Sequence, residues 1–229
     1  MRTFDRALSD GRSIRVRMTE RSDGDFSITS DPTELESRRR GIVDRPWVWL
    51  DQVHGDRCVA VDALGLVGAI GAQADAAVAR STDCALSVQT ADCVPVALWT
   101  EGGTIAAVHI GWRGLERGVL AAAIDAVRAD DDRPVCAFIG PSIGPECYAF
   151  GEDELDRLVA DLGPSLRSVT RDGRPALDVR AGVRSQLARL RVEVAGEDDT
   201  CTACDARFHS HRARAESERQ AMVIWIEDT

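Results

Sequence analysis

A chain of 229 residues, 44% hydrophobic and 29% charged, is long enough to bury a sizeable core unaided, and a single domain over 1–229 is the expectation. Its formal charge of −10, from 28 basic and 38 acidic residues, argues against nucleic acid or an acidic membrane surface as partner. Every basic residue is arginine, which excludes Schiff-base lysine chemistry and a phosphate-loop lysine.

Residues 14–18 and 25–29 read as short strands, the second with Phe26 and Ile28 on one face. Asp31, Pro32 and Glu34 stand where an N-cap, a first-turn proline and a capping-box acid belong, so a helix is predicted to run into Arg38, Arg39 and Arg40 and to stop at Gly41. Segment 46–53 reads as a strand with Trp47 and Trp49 on one face, and it delivers His54 into a polar cluster with Gln52, Gly55 and Asp56. A strand over 57–61, a glycine-punctuated loop over 64–71 and apolar segments at 74–79 and 84–89 follow. Beyond residue 114 the pattern predicts a helix over 115–129, a buried strand over 135–139, and a shaped loop over 140–145. Amphipathic helices over 152–162 and 178–190 and strands over 192–194 and 222–226 complete the chain. No repeat or linker divides it. Hairpins interleaved with helices place the fold in the α+β class, as a mixed-sheet α/β sandwich rather than a doubly wound parallel sheet.

The N-terminal stretch has scattered charges and no apolar run, so it reads as neither a signal peptide nor a membrane anchor and points to the cytoplasm. Seven cysteines, an odd number without the density of a secreted disulfide framework, are expected to be mostly reduced core residues.

The chemistry concentrates in TADCVPVALWTEGGTIAAVHIGWRG, residues 90–114. Two apolar runs, 94–99 and 105–110, flank a glycine-containing loop, which is the pattern of a β-hairpin. With the loop centred on Glu101, Cys93 and His109 oppose one another across the ladder, with Cβ atoms about 5 Å apart. A thiolate and an imidazole at that separation can share a metal ion or act as nucleophile and base. The plain alternative is a buried cysteine beside a hydrogen-bonded histidine; the flanking Asp92, Pro95 and GWRG argue for the site.

His54, Cys93 and His109 make a two-imidazole, one-thiolate donor set that leaves the fourth tetrahedral position of Zn²⁺ open. The same set serves blue copper, but that needs an axial ligand, usually methionine, and Met1, Met18 and Met222 lie near none of the three in sequence. Multicopper chemistry needs many more histidines than the four present, His54, His109, His209 and His211.

The stretches DQVHG (51–55), TADCVP (90–95), HIGWRG (109–114), IGPSIGPECYAFG (139–151) and the terminal CT…RFHSHR…ERQAMVIWI resemble the YfiH-like family, also called laccase-domain, "polyphenol oxidase" or peptidoglycan editing factor. The resemblance implies a YfiH-like sandwich with one Zn²⁺ per chain on His54, Cys93 and His109. It also implies phosphorolysis of purine nucleosides, with adenosine deamination as a second activity. Polyphenol oxidation is the reading it favours least. The chain departs from the family pattern where Ser37-Arg38 replaces an Asn-Arg pair, where His209 and His211 occupy usually aromatic positions, and where Glu218 replaces a glycine before Arg219.

On this reading Arg38, Arg113 and Arg212 are the candidates for holding phosphate, and His211 sits at the pocket rim. Asp92 either shuttles a proton or orients a histidine. The partners expected are a purine nucleoside and phosphate, with the chain a monomer or weak homodimer. Cys201, Cys204, His209 and His211 form a second metal pattern, C-x2-C-x4-H-x-H, but its spacing is unlike zinc fingers and the two cysteines are read as ordinary residues. The competing class is a metal-free hydrolase of a peptidoglycan precursor, with Cys93 as nucleophile, His109 as base and His54 dispensable or orienting.

Overall fold

The computed structural model describes residues 1–61 and 66–228. Two sheets carry the fold. The first has the order Arg2–Ala7, Ser13–Met18, Gln220–Glu227, Ala85–Thr90, Trp47–Val48; the second runs Glu193–Glu197, Val135–Ile139, Val94–Thr100, Ile105–Ile110, Ala76–Ala79, Cys58–Val61. Most neighbours are antiparallel, but Trp47–Val48, Cys58–Val61 and Glu193–Glu197 each lie parallel to their neighbour, so both sheets are mixed, as expected.

Side-chain alternation sorts the layers. Ile14, Val16 and Met18 of the first sheet meet Ala97, Trp99, Ile105 and Ala107 of the second in a core between the sheets. The other face of the second sheet, with Val96, Leu98 and Val108, is covered by helices Val119–Asp130, Glu152–Leu162 and Val179–Arg189. Leu35 of helix Pro32–Ile42 closes the outer face of the first sheet over Val223 and Trp225. The central hairpin is therefore covered on both faces, which is why its two strands are buried throughout and read as continuous apolar runs rather than as an alternation.

Several sequence expectations shift for local reasons. Residues 25–29 are not a strand: the Ser27 amide donates to Asp25 Oδ1 at 2.8 Å, and this Asx turn competes successfully with the period-two pattern. Asp31 caps its helix by accepting from the Thr33 and Glu34 amides, both at 3.0 Å, while Glu34 turns to Arg38; the helix then passes through Gly41 to Ile42. Segment 46–53 splits, with Trp47–Val48 in the first sheet and Leu50–Asp51 paired parallel with Ala72–Gln73. Of the loop expected over 64–71, the first two residues lie outside the described residues, and Leu66–Ala69 is a helical turn. The helix expected over 115–129 starts at Trp112 and is divided at Gly118, whose φ of +91° belongs to the left-handed region. Helix Glu152–Leu162 forms as expected, and Asp178 caps Val179–Arg189 through the Ala181 amide. Among the described residues no helix is long and apolar enough to cross a membrane.

Candidate metal centre and its cavity

The central hairpin closes one residue later than the sequence pattern suggests. Thr100 pairs with Thr104 and Gly103 takes φ +86°, giving a three-residue loop centred on Gly102. The ladder consequently pairs His109 with Pro95 and Ile110 with Val94, not His109 with Cys93. Cys93 is the diagonal neighbour of His109 on the same face, within reach across an antiparallel pair.

The thiol and imidazole still converge, because two backbone kinks bring the flanking loops inward. Asp92 (φ +94°) and His54 (φ +57°) both adopt the left-handed conformation that L residues rarely take, and such strain concentrates at functional sites. Donor atoms of His54, Cys93 and His109 all lie within 4.8 Å of one another. His54 Nε2 is 3.7 Å from Cys93 Sγ, and the two imidazole rings meet edge to face at 4.8 Å. A Cβ on Gly111 would lie 2.6 Å from the His54 ring and 3.2 Å from Cys93 Sγ, so only glycine fits beside the cluster.

Asp75, which the sequence reading did not select, organises this arrangement. Fully buried at the mouth of strand Ala76–Ala79, it accepts from the amides of Val53 (3.3 Å), His54 (3.0 Å) and Gly55 (2.6 Å), and shapes the loop that carries His54. Its Oδ1 also takes His109 Nδ1 at 2.8 Å, which leaves His109 Nε2 for the cluster. Burial alone would raise the Asp75 carboxyl; the His109 hydrogen bond and the loop amides outweigh it and hold the group below the usual carboxylate range. A lone aspartate in the apolar run 74–79 was the available signal.

The same balance governs the pair in front of it. Burial would raise the Cys93 thiol, but the charge and hydrogen bond of His109, with His54 beside it, pull it down. Burial would lower His109, but Cys93 and Asp75 raise it. Both shifts run in the direction that moves the thiol proton toward the imidazole, and a cation bound there would displace that proton.

The cluster opens into a cavity of about 510 Å³. Arg113, Arg212 and His211 line it. Arg212 stacks 4.7 Å over Tyr148, and its amide donates to Asp92 Oδ2 at 2.7 Å; Thr202 donates to Asp92 Oδ1, also at 2.7 Å. Asp92 therefore anchors the C-terminal segment to the cavity, and the orienting contact on a histidine falls to Asp75 instead. Burial, with Cys93 nearby, pushes the Tyr148 phenol up to about 12, against the opposing effect of Arg212.

Arg38 is not brought to the cavity. Its guanidinium donates to the Asp25 carbonyl at 2.9 Å and to Glu34 one helical turn away at 2.6 Å, an i,i+4 pair on the outer layer. Arg219, which the sequence reading did not choose, lines the cavity instead, along with Ser27, Gln52 and Gln89. Gln52 and Gln89 are locked by reciprocal bonds, the Gln52 amide nitrogen to the Gln89 carbonyl and the Gln89 amide to Gln52 Oε1, both 2.8 Å. Such long-range neighbours leave no local spacing to read.

A mixed α/β sandwich with a thiolate and two imidazoles at converging strand ends defines the YfiH-like, laccase-domain class of proteins. The chain belongs to this family: the model described as multi-copper polyphenol oxidoreductase laccase matches residues 20–227. It is 39% identical over 238 residues to a purine nucleoside phosphorylase of Xylella fastidiosa, covering 96% of this chain and 90% of that protein. It is 34% identical over 209 residues to a purine nucleoside phosphorylase of Mycobacterium tuberculosis, covering 87% and 82%. Among solved structures, a Neisseria meningitidis protein of the same fold superposes with a TM-score of 0.82 at 25% identity, covering 100% of this chain and 99% of that one. Bacillus licheniformis YfiH superposes at 0.80, with 21% identity and coverage of 94% and 93%.

Proposed function

We propose that this chain is a zinc-dependent purine nucleoside phosphorylase that converts adenosine or inosine and phosphate to free base and ribose 1-phosphate, with adenosine deamination as a second activity. The observation that carries the reading is the convergence of His54, Cys93 and His109 on the wall of a nucleoside-sized cavity with Arg113, Arg212 and Arg219 around it. The names of the relatives supply the substrate class.

The donor set suits zinc: two imidazoles, one held in a fixed tautomer by Asp75, and one thiolate. Zinc held by His54, Cys93 and His109 would supply Lewis-acid chemistry there. The chain does the rest. Arg212, fixed through Asp92 and Tyr148, presents a guanidinium for the phosphate, with Arg113 and Arg219 as neighbours. Gln52 and Gln89, tied to one another through the Gln52 side chain, form with Ser27 the polar wall that a base would face. For deamination, Tyr148 stays a neutral phenol able to donate a proton, and Asp92 is the cavity's nearby carboxylate.

The juxtaposed thiol and imidazoles also suit a metal-free cysteine hydrolase acting on a peptidoglycan precursor, so the deciding experiment separates the two. Chelator-stripped protein should release no purine base from inosine and phosphate and should regain activity with added Zn²⁺. Retained activity in the stripped protein, abolished by thiol alkylation, establishes the hydrolase mechanism instead.

A further inference from the structure

Four side chains that do not line the cavity gather where the 140–148 loop meets the turn at 201–204. Cys201 and Cys204 sit on a tight turn closed by the Cys204 amide to the Cys201 carbonyl at 3.1 Å. Their partners come from a loop more than fifty residues away: Cys147, whose sulfur is 3.2 Å from that of Cys204, and Glu146. One donor atom from each of the four lies within 4.8 Å of all the others. His209 and His211, the partners the sequence spacing suggested, are elsewhere: His209 is buried with neither ring nitrogen hydrogen-bonded, and His211 lines the cavity.

We propose that Glu146, Cys147, Cys201 and Cys204 form a second, structural zinc site. Three features fit it. Three sulfurs and a carboxylate are a soft-to-borderline set of four, which closes a tetrahedron and leaves no open position. Zinc–sulfur bonds of about 2.3 Å require ligand separations of about 3.8 Å, and the four donor atoms all lie within 4.8 Å of one another. Two N–H donors already point at the sulfurs: the Gly144 amide donates to Cys201 Sγ at 3.1 Å, and Arg171 Nη2 to Cys204 Sγ at 3.2 Å. Gly144 also leaves room for the carboxylate, since a Cβ there would collide with Glu146. Binding would release the thiol protons and clamp the Cys201–Cys204 turn to the loop that supplies Ile143 and Tyr148 to the cavity.

Zinc counting on purified full-length protein tests this independently of the catalytic reading. Wild type should carry about two zinc ions per chain, the His54→Ala/Cys93→Ala protein about one, and the Cys147→Ser/Cys204→Ser protein about one. If His54→Ala/Cys93→Ala protein with reduced thiols holds no zinc, this site is overturned while the catalytic one stands; if it holds one and the serine variant holds none, the catalytic assignment fails and this site stands. Mass spectrometry that finds a Cys147–Cys204 disulfide in freshly purified protein also overturns it. Cobalt loading of the His54→Ala/Cys93→Ala protein covers the case where the serine variant does not fold: thiolate charge-transfer bands with tetrahedral d–d bands are expected, and their absence rejects the site.

Discussion

Two cysteine-containing clusters differ in what surrounds them. His54, Cys93 and His109 offer three donors, face a large cavity, and are backed by a buried carboxylate that fixes one imidazole. Glu146, Cys147, Cys201 and Cys204 offer four donors, and none of them lines that cavity. On the two proposals made above, donor count and access, more than the presence of cysteine, would separate a centre for chemistry from one for scaffolding: three ligands would leave a place for substrate, and four would leave none.

The sharpest way to break this contrast is to remove one sulfur from each cluster. Cys93→Ala should lower kcat/KM for inosine about 10³-fold, the several kcal/mol that Lewis-acid assistance supplies. Cys204→Ser should lower it less than about tenfold while reducing thermal stability. Comparable kinetic losses in the two variants would erase the distinction.

Asp75→Asn probes the support behind the first cluster. Loss of the carboxylate that orients His109 should weaken zinc binding about 10–100-fold in chelator competition. Asp75→Ala should in addition destabilise the fold by about 3 kcal/mol in urea titration, since the amides of Val53, His54 and Gly55 lose their acceptor. A loss below about 1 kcal/mol would show that water replaces the carboxylate.

Arginines distinguish the cavity from the outer layer. Arg212→Ala should forfeit about 2 kcal/mol of charge-assisted binding, read as a KM for phosphate raised about 30-fold with zinc content unchanged. Arg38→Ala, outside the cavity, should leave that KM within about twofold, since its contacts are to Asp25 and Glu34. Equal effects would mean that the phosphate lies elsewhere.

The smallest effect concerns the segment after Cys204 that carries His211, Arg212 and Arg219 to the cavity. Burial would raise Glu216, but the Ser210 amide, Arg21 and Arg214 outweigh it and hold the carboxyl down to about 2, below its ordinary 4.5. A depressed folded value means the contribution is fully present above the unfolded value and is lost as pH falls toward 2. Wild type should therefore exceed Glu216→Gln by on the order of 1 kcal/mol above pH 5, an advantage that vanishes near pH 2 in pH-dependent denaturation. A pH-independent difference would point to packing rather than charge.

Local chemistry was legible from the chain alone wherever the signal was local. Asp31 and Pro32 announced a helix, 152–162 kept its amphipathic period, and the apolar runs 94–99 and 105–110 formed the hairpin they promised. The donor trio was also legible, because residues that end apolar strands and are flanked by glycine or polar residues stand out in a linear pattern. Register was not: a one-residue change in loop closure, fixed by Gly103 at positive φ, moved Pro95 rather than Cys93 opposite His109. Nor were the long-range partnerships, which pair Asp75 with His109, Arg212 with Tyr148 and Cys147 with Cys204. Sequence sets which groups a strand end or a turn can present, through propensities and hydrogen bonds that act within a few residues. Which of those groups meet depends on how two sheets stack and where loops cross, and only burial across the whole chain decides that.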